Sequence, residues 1–219
     1  MADAPPAASA RTEIDPSAGP AYAFYGLLTA VIVPRPIAWV SSISADGVEN
    51  LAPHSFFTVS CVDPPVVQFT SVGRKDSQRN IEETGEFVVN FAPEHLFEQI
   101  NASATNFPPD VDEFAAVGLT RERSSRVRPS RVAGSPVALE CVRHETISFG
   151  DSTVVFGRVV LAAIDPAVIV DGYPQIDRLR PLARLGRNEW SALGEVLRIN
   201  RISADDWPGH YADHLEPEA

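Results

Sequence analysis

Two long β-prone runs joined by a tight turn constrain the fold of this chain more than any other feature. Val137–Phe149 and Thr153–Ile164 are rich in β-branched and aromatic residues, and Gly150-Asp151-Ser152 separates them. This pattern predicts an antiparallel hairpin. The 19 prolines and 13 glycines add many turns along the 219 residues and argue against a helical bundle.

Shorter β-prone segments precede this hairpin, separated by turn signals such as Asp46-Gly47 and Asp63-Pro64-Pro65. They come as hairpins and not in regular alternation with helices. The pattern therefore predicts a mainly β, antiparallel fold, in which a closed barrel is one way to remove exposed strand edges. The predicted strands are Ile37–Ile43, Val48–Ala52, Phe56–Val59, Val66–Ser71 and Phe87–Phe91.

Only a few short helices are predicted. Ser77–Thr84 is expected to be helical, with Asp76 or Ser77 as its N-cap and Gly85 ending it. The other candidates are His95–Thr105, one turn at Asp112–Ala116, and Glu189–Leu197. Structure is expected to begin near Tyr22, and residues 25–33 form a mixed apolar segment to which the pattern assigns no element.

The charge is concentrated at the chain ends. The formal net charge is −11, and residues 203–219 are especially acidic. We expect a disordered leader at 1–20, one domain at 21–202 and an acidic tail at 203–219. So acidic a chain is a poor partner for nucleic acid. Because it has neither an apolar run of about 20 residues nor a secretory signal, the default expectation is a cytoplasmic protein without a membrane partner.

The cysteines and histidines give no sign of a metal site. Cys61 and Cys141 are far apart in apolar segments and are expected to be buried free thiols. The histidines show no recognised metal-ligand spacing, and His210 and His214 lie in the polar acidic tail. Signatures for a dinucleotide-binding Rossmann unit, a P-loop and a nucleophile elbow are absent from the sequence.

One candidate site follows the strand predicted at Val66–Ser71. Ser71, Arg74, Lys75 and Ser77 offer hydroxyl and cationic donors next to the start of a predicted helix. Helix N-termini have free N–H groups and partial positive charge, so this segment is a plausible seat for a phosphate. The alternative is a polar loop whose charges face water.

A second candidate is the segment Asn50–Phe57. Asn50 and Ser55 could hydrogen-bond the edge of a heterocycle, and Ala52 and Pro53 permit close backbone approach. The alternative is an ordinary strand with a bend. A third feature, the basic stretch from Arg121 to Arg131, is interpreted as a solvated loop, with contact to a cofactor phosphate in a neighbouring subunit as the alternative.

The order and spacing of several short motifs between residues 25 and 199 resemble the flavin reductase-like family of FMN-binding split-barrel proteins. The motifs are Arg35–Ser42, Asp46-Gly47, Asn50–Phe57, Asp63–Pro65, Arg74–Ser77, Asn80-Ile81, Thr84–Asn90, Phe156–Val159 and Pro181–Gly186. The resemblance implies a Greek-key split barrel, FMN near a homodimer interface, and NADH or NADPH as the electron donor.

Carried over position by position, the resemblance assigns three groups of cofactor-binding residues. Those matching the strand along the flavin ring are Trp39, Val40, Ser41 and Ser42. Those matching the ring edge and ribityl chain are Asn50, Ala52, Pro53, His54 and Ser55. Those matching the phosphate stretch are Ser71, Arg74, Lys75, Asp76 and Ser77, with Arg74, Lys75 and Ser77 expected to touch phosphate and Asp76 to cap the helix.

Two positions depart from the family pattern. Relatives often have an apolar or aromatic residue where His54 stands, and the imidazole there could tune the flavin, meet a substrate or simply be tolerated. Relatives often have tyrosine where Trp190 stands, which leaves stacking available.

The function implied is an NAD(P)H-dependent flavin reductase whose reduced flavin could feed a partner oxygenase. Since the cofactor carries the hydride chemistry, no side chain is assigned as acid, base or nucleophile. Two alternatives remain: a split-barrel enzyme that reduces another substrate, and a non-catalytic flavin carrier.

Overall fold

A computed structural model describes residues 11–207. Its strands are β1 Arg35–Pro36, β2 Ala38–Ile43, β3 Glu49–His54, β4 Phe57–Cys61, β5 Val66–Val72, β6 Glu86–Asn90, β7 Arg121–Glu122, β8 Arg131–Val132, β9 Val137–Phe149, β10 Ser152–Ile164, β11 Ile169–Val170, β12 Tyr173–Pro174, β13 Ala183–Arg184 and β14 Trp190–Ser191. Its helices are α1 Ala21–Val31, α2 Asp76–Thr84, α3 Phe97–Ala102, α4 Glu113–Ala116 and α5 Ile176–Leu179, with 3₁₀ turns at Pro16–Ala18, Glu94–Leu96 and Pro166–Val168.

A seven-stranded sheet in the order β3-β2-β6-β9-β10-β5-β4 dominates the molecule. Every neighbouring pair in it is antiparallel, and contacts between β3 and β5 curl the sheet toward closure. The predicted mainly β split barrel with a few short helices is confirmed. The β9–β10 hairpin forms where the sequence predicts it.

The barrel core lies on both faces of β2. Ala38 and Val40 pack with Phe69 and Phe87 on one face, while Trp39 belongs to a second buried cluster on the other. Alternating side chains of a strand point to opposite faces, so a strand covered on both sides has no polar face. Gly157 lets β10 pass this core, since a Cβ there would lie 2.2 Å from Phe87 Cζ.

Two further glycines match their predicted roles at turns. Gly47 has φ +90° in the β2–β3 hairpin, and Gly85 has φ +76° where α2 ends. Positive φ is readily adopted by glycine but costs other residues strain.

Several predictions of secondary structure are wrong. Helix α1 covers much of a segment that received no element, and Trp190–Ser191 is a strand paired with β13 where a helix over 189–197 is predicted. The helix predicted at 95–105 is split into a 3₁₀ turn and the short α3. At Trp190–Ser191, hairpin pairing with β13 outweighs the local helical pattern.

The cysteine prediction is half right. Both thiols are free, but Cys61 is exposed on the edge strand β4 and only Cys141 is buried. Burial raises the pKa of Cys141 to about 12, so its thiol stays protonated at neutral pH.

The chain ends lie only partly within the described range. Residues 1–10 of the predicted leader and 208–219 of the predicted tail, with His210 and His214, fall outside it. Within residues 11–207, no helix combines the length and apolar character needed to cross a membrane, and no group of three metal-ligating side chains comes together.

Candidate functional site

Three neighbouring cavities surround the end of β3 and the start of α2. The first, here the helix cavity, measures about 320 Å³ and is lined by Asn50, Lys75 and Ser77, among others. The second, the histidine cavity, measures about 140 Å³ and lies between His54 and Lys75. Lys75 lines both, so the two predicted binding segments meet at one corner of the barrel.

The third cavity, here the arginine cleft, measures about 550 Å³ and lies beside α1. Its lining includes Arg35, Arg184 and Arg187. Tyr25 and Ser55 line both this cleft and the histidine cavity. The three cavities therefore follow one another along the same side of the molecule.

The N-terminus of α2 opens toward the helix cavity without a side-chain cap. Its N-cap residue is Lys75, and the Asp76 carboxylate instead pairs with Arg79 at 2.5 Å, so the prediction that Asp76 or Ser77 caps the helix is wrong. The Arg79 N–H donates to the Lys75 carbonyl. The N–H groups of residues 76–78 therefore have no intrahelical acceptor and are available to an anion.

Two cations stand beside this helix start. Arg74 is exposed and pairs with Glu82 at 2.9 Å, while the Lys75 ammonium is exposed and makes no ion pair within the described residues. Both side chains are exposed, and an exposed ion pair such as Arg74–Glu82 contributes at most about 1 kcal/mol, so either cation can turn toward a ligand at modest cost.

A buried polar cluster connects β3 with α2 beneath the helix cavity. The Ser77 hydroxyl donates to Asn50 Oδ1 at 2.8 Å, and His54 Nε2 lies 3.3 Å from the same Ser77 oxygen. Glu113 accepts from Asn50 Nδ2 at 2.9 Å and from the Leu51 N–H at 3.1 Å. The Ser77 hydroxyl thus donates its one proton to Asn50. Arg74 and Lys75 are therefore better placed than Ser77 to donate to a phosphate.

Glu113 is the member of this cluster that the sequence analysis missed. Burial raises the pKa of its carboxyl, hydrogen bonds from Leu51 and Asn50 oppose that rise, and the charge of Asp76 adds to it. The residue opens α4 directly after its N-cap, Asp112. A helical turn is predicted there, but no local pattern indicates that this carboxylate faces a strand more than 60 residues earlier.

His54 is buried and neutral at physiological pH. Burial first, and the nearby charge of Lys75 second, lower its pKa to about 4, while a hydrogen bond to the Thr70 backbone opposes the shift. Its ring packs against Phe69 with centroids 4.5 Å apart. The imidazole therefore acts as a packed, uncharged wall of the histidine cavity.

Several predicted site residues are not brought to an open surface. Trp39, Val40, Ser41, Ser42 and Ser71 are all fully buried. Trp39 Nε1 donates to Ser103 at 2.9 Å, and the Ser71 hydroxyl donates to the Gly73 carbonyl at 3.0 Å. Their side chains support the two strands from inside. By contrast, Ala52, Pro53 and Ser55 remain partly exposed, and flavin contact by these residues stays a prediction.

Asn80 lies beside the polar cluster and leaves one buried polar atom without a hydrogen-bond partner among the described residues. Its side-chain nitrogen lies 3.3 Å from the Ser42 hydroxyl, to which it donates, while its Oδ1 is the one buried side-chain polar atom in residues 11–207 without a partner. The Ser42 hydroxyl donates its one proton to Asn50 Oδ1 at 3.4 Å, so rotating the Asn80 amide would not give Asn80 Oδ1 a donor at Ser42.

The basic stretch divides into exposed and buried residues. Arg123, Arg126 and Arg128 are exposed, in agreement with a solvated loop. Arg131 is instead buried between Glu122 and Glu140, so extending the solvated loop to it is wrong. The Glu140 carboxylate on β9 neutralises its charge.

Comparisons with known proteins agree with the fold. An uncharacterized protein of Aquifex aeolicus is 37% identical over 178 residues, covering 78% of this chain and 91% of the relative. The crystal structure of nitrilotriacetate monooxygenase component B from Bacillus cereus superposes with a TM-score of 0.85 at 32% identity, covering 88% of this chain and all of that one.

The 2-nitrobenzoate 2-nitroreductase NbaA of Pseudomonas fluorescens is similar as well. Its crystal structure gives a TM-score of 0.83 at 29% identity, covering 88% of this chain and 98% of that chain. Residues 30–173 match the family model described as the flavin reductase like domain. That match spans more than half of the sequence, and the chain belongs to the flavin reductase-like family.

Proposed function

We propose that this protein is an NAD(P)H-dependent flavin reductase that binds FMN across the helix and histidine cavities. The observation that carries the proposal is the uncapped N-terminus of α2, which opens into a cavity beside the free ammonium of Lys75. Free N–H groups and a cation together suit a phosphate monoester, which carries a charge of about −1.5 to −2 at neutral pH.

The residues at this corner fit FMN in a consistent order. Lys75 and Arg74 would hold the phosphate, and the partly exposed edge of β3 at Ala52–Ser55 would face the ribityl chain and ring. Backbone N–H groups along that edge would stabilise negative charge on a reduced ring. When bound, FMN supplies the hydride chemistry, while the protein binds, orients and shields it.

Similarity to the Bacillus cereus component B supports an electron-delivery role, with an oxygenase as the partner that receives reduced flavin. A homodimer with FMN near its interface is part of the same proposal. We propose FMN and not FAD because the N-terminus of α2 offers a binding position for one phosphate group.

A second function has a specific observation in its favour. The Pseudomonas fluorescens nitroreductase is nearly as similar in structure, and the arginine cleft could admit an organic substrate beside the flavin. In this case tightly held FMN would reduce that substrate directly. A non-catalytic carrier is the remaining alternative, and it would hold flavin without consuming NADH or NADPH.

The test compares FMN with riboflavin, which lacks the phosphate. Replacing Arg74 and Lys75 together by alanine should weaken FMN by at least about tenfold, since a charged hydrogen bond contributes about 1.5–3 kcal/mol. Riboflavin should change by less than about threefold. Binding is measured by quenching of flavin fluorescence, with the double variant Arg158→Ala, Arg201→Ala as a charge-matched control because both arginines are exposed elsewhere.

Two results would contradict the proposal. Equal losses for FMN and riboflavin would place the phosphate elsewhere, and the variant Arg123→Ala, Arg126→Ala then tests the basic loop. Failure to oxidise both NADH and NADPH steadily in the presence of free flavin would contradict the reductase and favour the carrier.

A further inference from the structure

The arginine cleft holds three guanidinium groups that have no carboxylate partner within residues 11–207. Arg35 is buried and donates to the carbonyls of Thr29 at 2.5 Å, Ile32 at 2.8 Å and Leu185 at 2.7 Å. Arg184 likewise donates to two backbone carbonyls, those of residues 187 and 189. Carbonyl groups satisfy hydrogen bonds but do not cancel the charge.

The charge of Arg187 is also without a counter-ion within the described residues. Its side chain is exposed at the cleft, and within residues 11–207 it forms no ion pair and no hydrogen bond. The acidic residue nearest to Arg187 in the sequence is Glu189. Its side chain is exposed and forms no ion pair with an arginine of the cleft. Burial and then the charge of Arg184 lower the pKa of Arg35, as expected for cations placed together without a counter-ion.

Three arginines grouped at one cleft contrast with the formal net charge of −11 of the whole chain. Elsewhere in the described range an arginine either pairs with a carboxylate or is exposed to solvent, whereas the cleft groups three arginines without an ion pair, of which Arg35 is buried. Grouped cations that no protein carboxylate neutralises favour an external anion. Guanidinium groups match carboxylate and phosphate oxygens especially well.

Aromatic side chains accompany the arginines. The rings of Tyr22 and Tyr25 border the cleft with centroids 5.7 Å apart, and both are exposed. A volume of about 550 Å³ falls in the range of small-molecule sites. Aromatic walls and a cationic end together suit a planar molecule that carries an anionic group.

We infer that the arginine cleft recognises the carboxylate or phosphate of an aromatic molecule that exchanges electrons with the flavin. The inference rests on the proposed function, because Tyr25 and Ser55 connect this cleft to the cavity assigned to the flavin. Arg187 is the residue free to contact the anion. Arg35 is a positioning residue that holds the end of α1 in place.

The experiment uses FMN-loaded protein and three probes: benzoate as a carboxylate, and NADH and NADPH as phosphate-bearing nucleotides. Dissociation constants come from calorimetry, and KM and kcat from nucleotide oxidation. Arg187→Gln should weaken at least one probe by about tenfold, the value of one charged contact. The variant should leave FMN affinity and kcat within about twofold, and Arg187→Lys should restore part of the loss.

The pattern of losses identifies the source of the anion. Weaker benzoate with an unchanged KM for the nucleotides indicates a carboxylate substrate, whereas a raised KM for NADH or NADPH indicates nucleotide phosphate. Arg158→Gln is the control, since that arginine is exposed on β10, far from this lining. If Arg187→Gln weakens none of the probes, the inference is overturned.

Failure of the proposed function gives a different result. If the purified protein does not bind FMN, the proposed function fails, while benzoate can still be titrated by calorimetry into the flavin-free protein. Loss of that heat in Arg187→Gln would support the cleft independently, whereas unchanged heats for benzoate, NADH and NADPH would overturn it.

Discussion

Two buried carboxylates on opposite parts of the barrel have opposite electrostatic surroundings. Glu140 on β9 pairs with Arg131 and accepts the N–H groups of Ser125 at 2.9 Å and Arg126 at 2.5 Å. Among the described residues, the donors to Glu113 beside the helix cavity are neutral: the Asn50 amide and the Leu51 backbone N–H. One carboxylate is neutralised by a cation and the other is not.

The two pKa values move in opposite directions for this reason. Burial alone would raise the pKa of Glu140, but the hydrogen bonds from Ser125, Arg131 and Arg126 and the charge of Arg131 together lower it. At Glu113 burial is the largest influence and raises the pKa. A paired buried charge is typical of structural support, while an unpaired one beside a cavity is typical of functional sites.

The largest effect is expected when the buried ion pair between Glu140 and Arg131 is broken. Glu140→Gln would leave the Arg131 cation buried without its main partner and should lower the free energy of unfolding by about 3–5 kcal/mol. FMN affinity of the folded fraction should stay unchanged. Urea denaturation at pH 7 measures the loss.

Glu86→Gln is the matched control for that substitution. Its partner Arg128 is largely exposed, and the pair is 2.9 Å apart, so its removal should cost no more than about 1 kcal/mol. Equal losses in both variants would mean that burial of the Glu140–Arg131 pair adds nothing.

The next effect concerns the uncharged wall of the site. In the unfolded chain His54 should titrate near 6.5, but in the folded protein its pKa is about 4. Because the unfolded chain binds the extra proton first, stability should fall as the pH drops from about 6.5 toward 4. The difference corresponds to about 3 kcal/mol between the ends of that range.

Replacing this histidine tests the assignment. His54→Gln keeps a polar side chain but cannot titrate, so its unfolding free energy should fall less steeply with decreasing pH over the same range. Denaturant titrations from pH 7 to pH 4 measure both slopes. Parallel curves for wild type and variant would show that another group carries the pH dependence.

Local and repeated signals predict the antiparallel strands well, whereas the split barrel itself was implied by the family resemblance. The β9–β10 hairpin and the turns at Gly47 and Gly85 each depend on β propensity or on positive φ, which neighbouring residues reveal. By contrast, Trp190 forms a strand because of its pairing partner, β13. A helix predicted from local pattern alone cannot account for such a partner.

The same difference separates the predicted and the missed parts of the candidate site. Arg74 and Lys75 could be proposed from the sequence because cations before a helix start are a local pattern, and their contact with phosphate stays a prediction. Glu113 was missed because its role depends on β3, which lies more than 60 residues away in the chain. Burial of Trp39–Ser42 also depends on tertiary packing, since the same residues on an edge strand would be half exposed.

The smallest effect is expected when glutamine replaces Glu113, the buried carboxylate without a cation partner among the described residues. Glu113→Gln should lower the free energy of unfolding by about 1–3 kcal/mol at pH 7, because one of its two accepted hydrogen bonds is lost while no buried cation is stranded. The loss should be smaller than that in Glu140→Gln. Asn50 would lose its anchor at the helix cavity, so FMN should bind several-fold more weakly in Glu113→Gln but not in Glu140→Gln.

The pH dependence of the two variants distinguishes the carboxylates further. A raised native pKa means that folded Glu113 takes up a proton before the unfolded chain does, so wild type should gain stability over Glu113→Gln as the pH falls from 7. A lowered native pKa at Glu140 has the opposite sign, and wild type should lose its advantage over Glu140→Gln in acid. The stability difference between wild type and variant should therefore change with pH in opposite directions for the two carboxylates. If it changed in the same direction for both, the distinction between the paired and the unpaired carboxylate would be wrong.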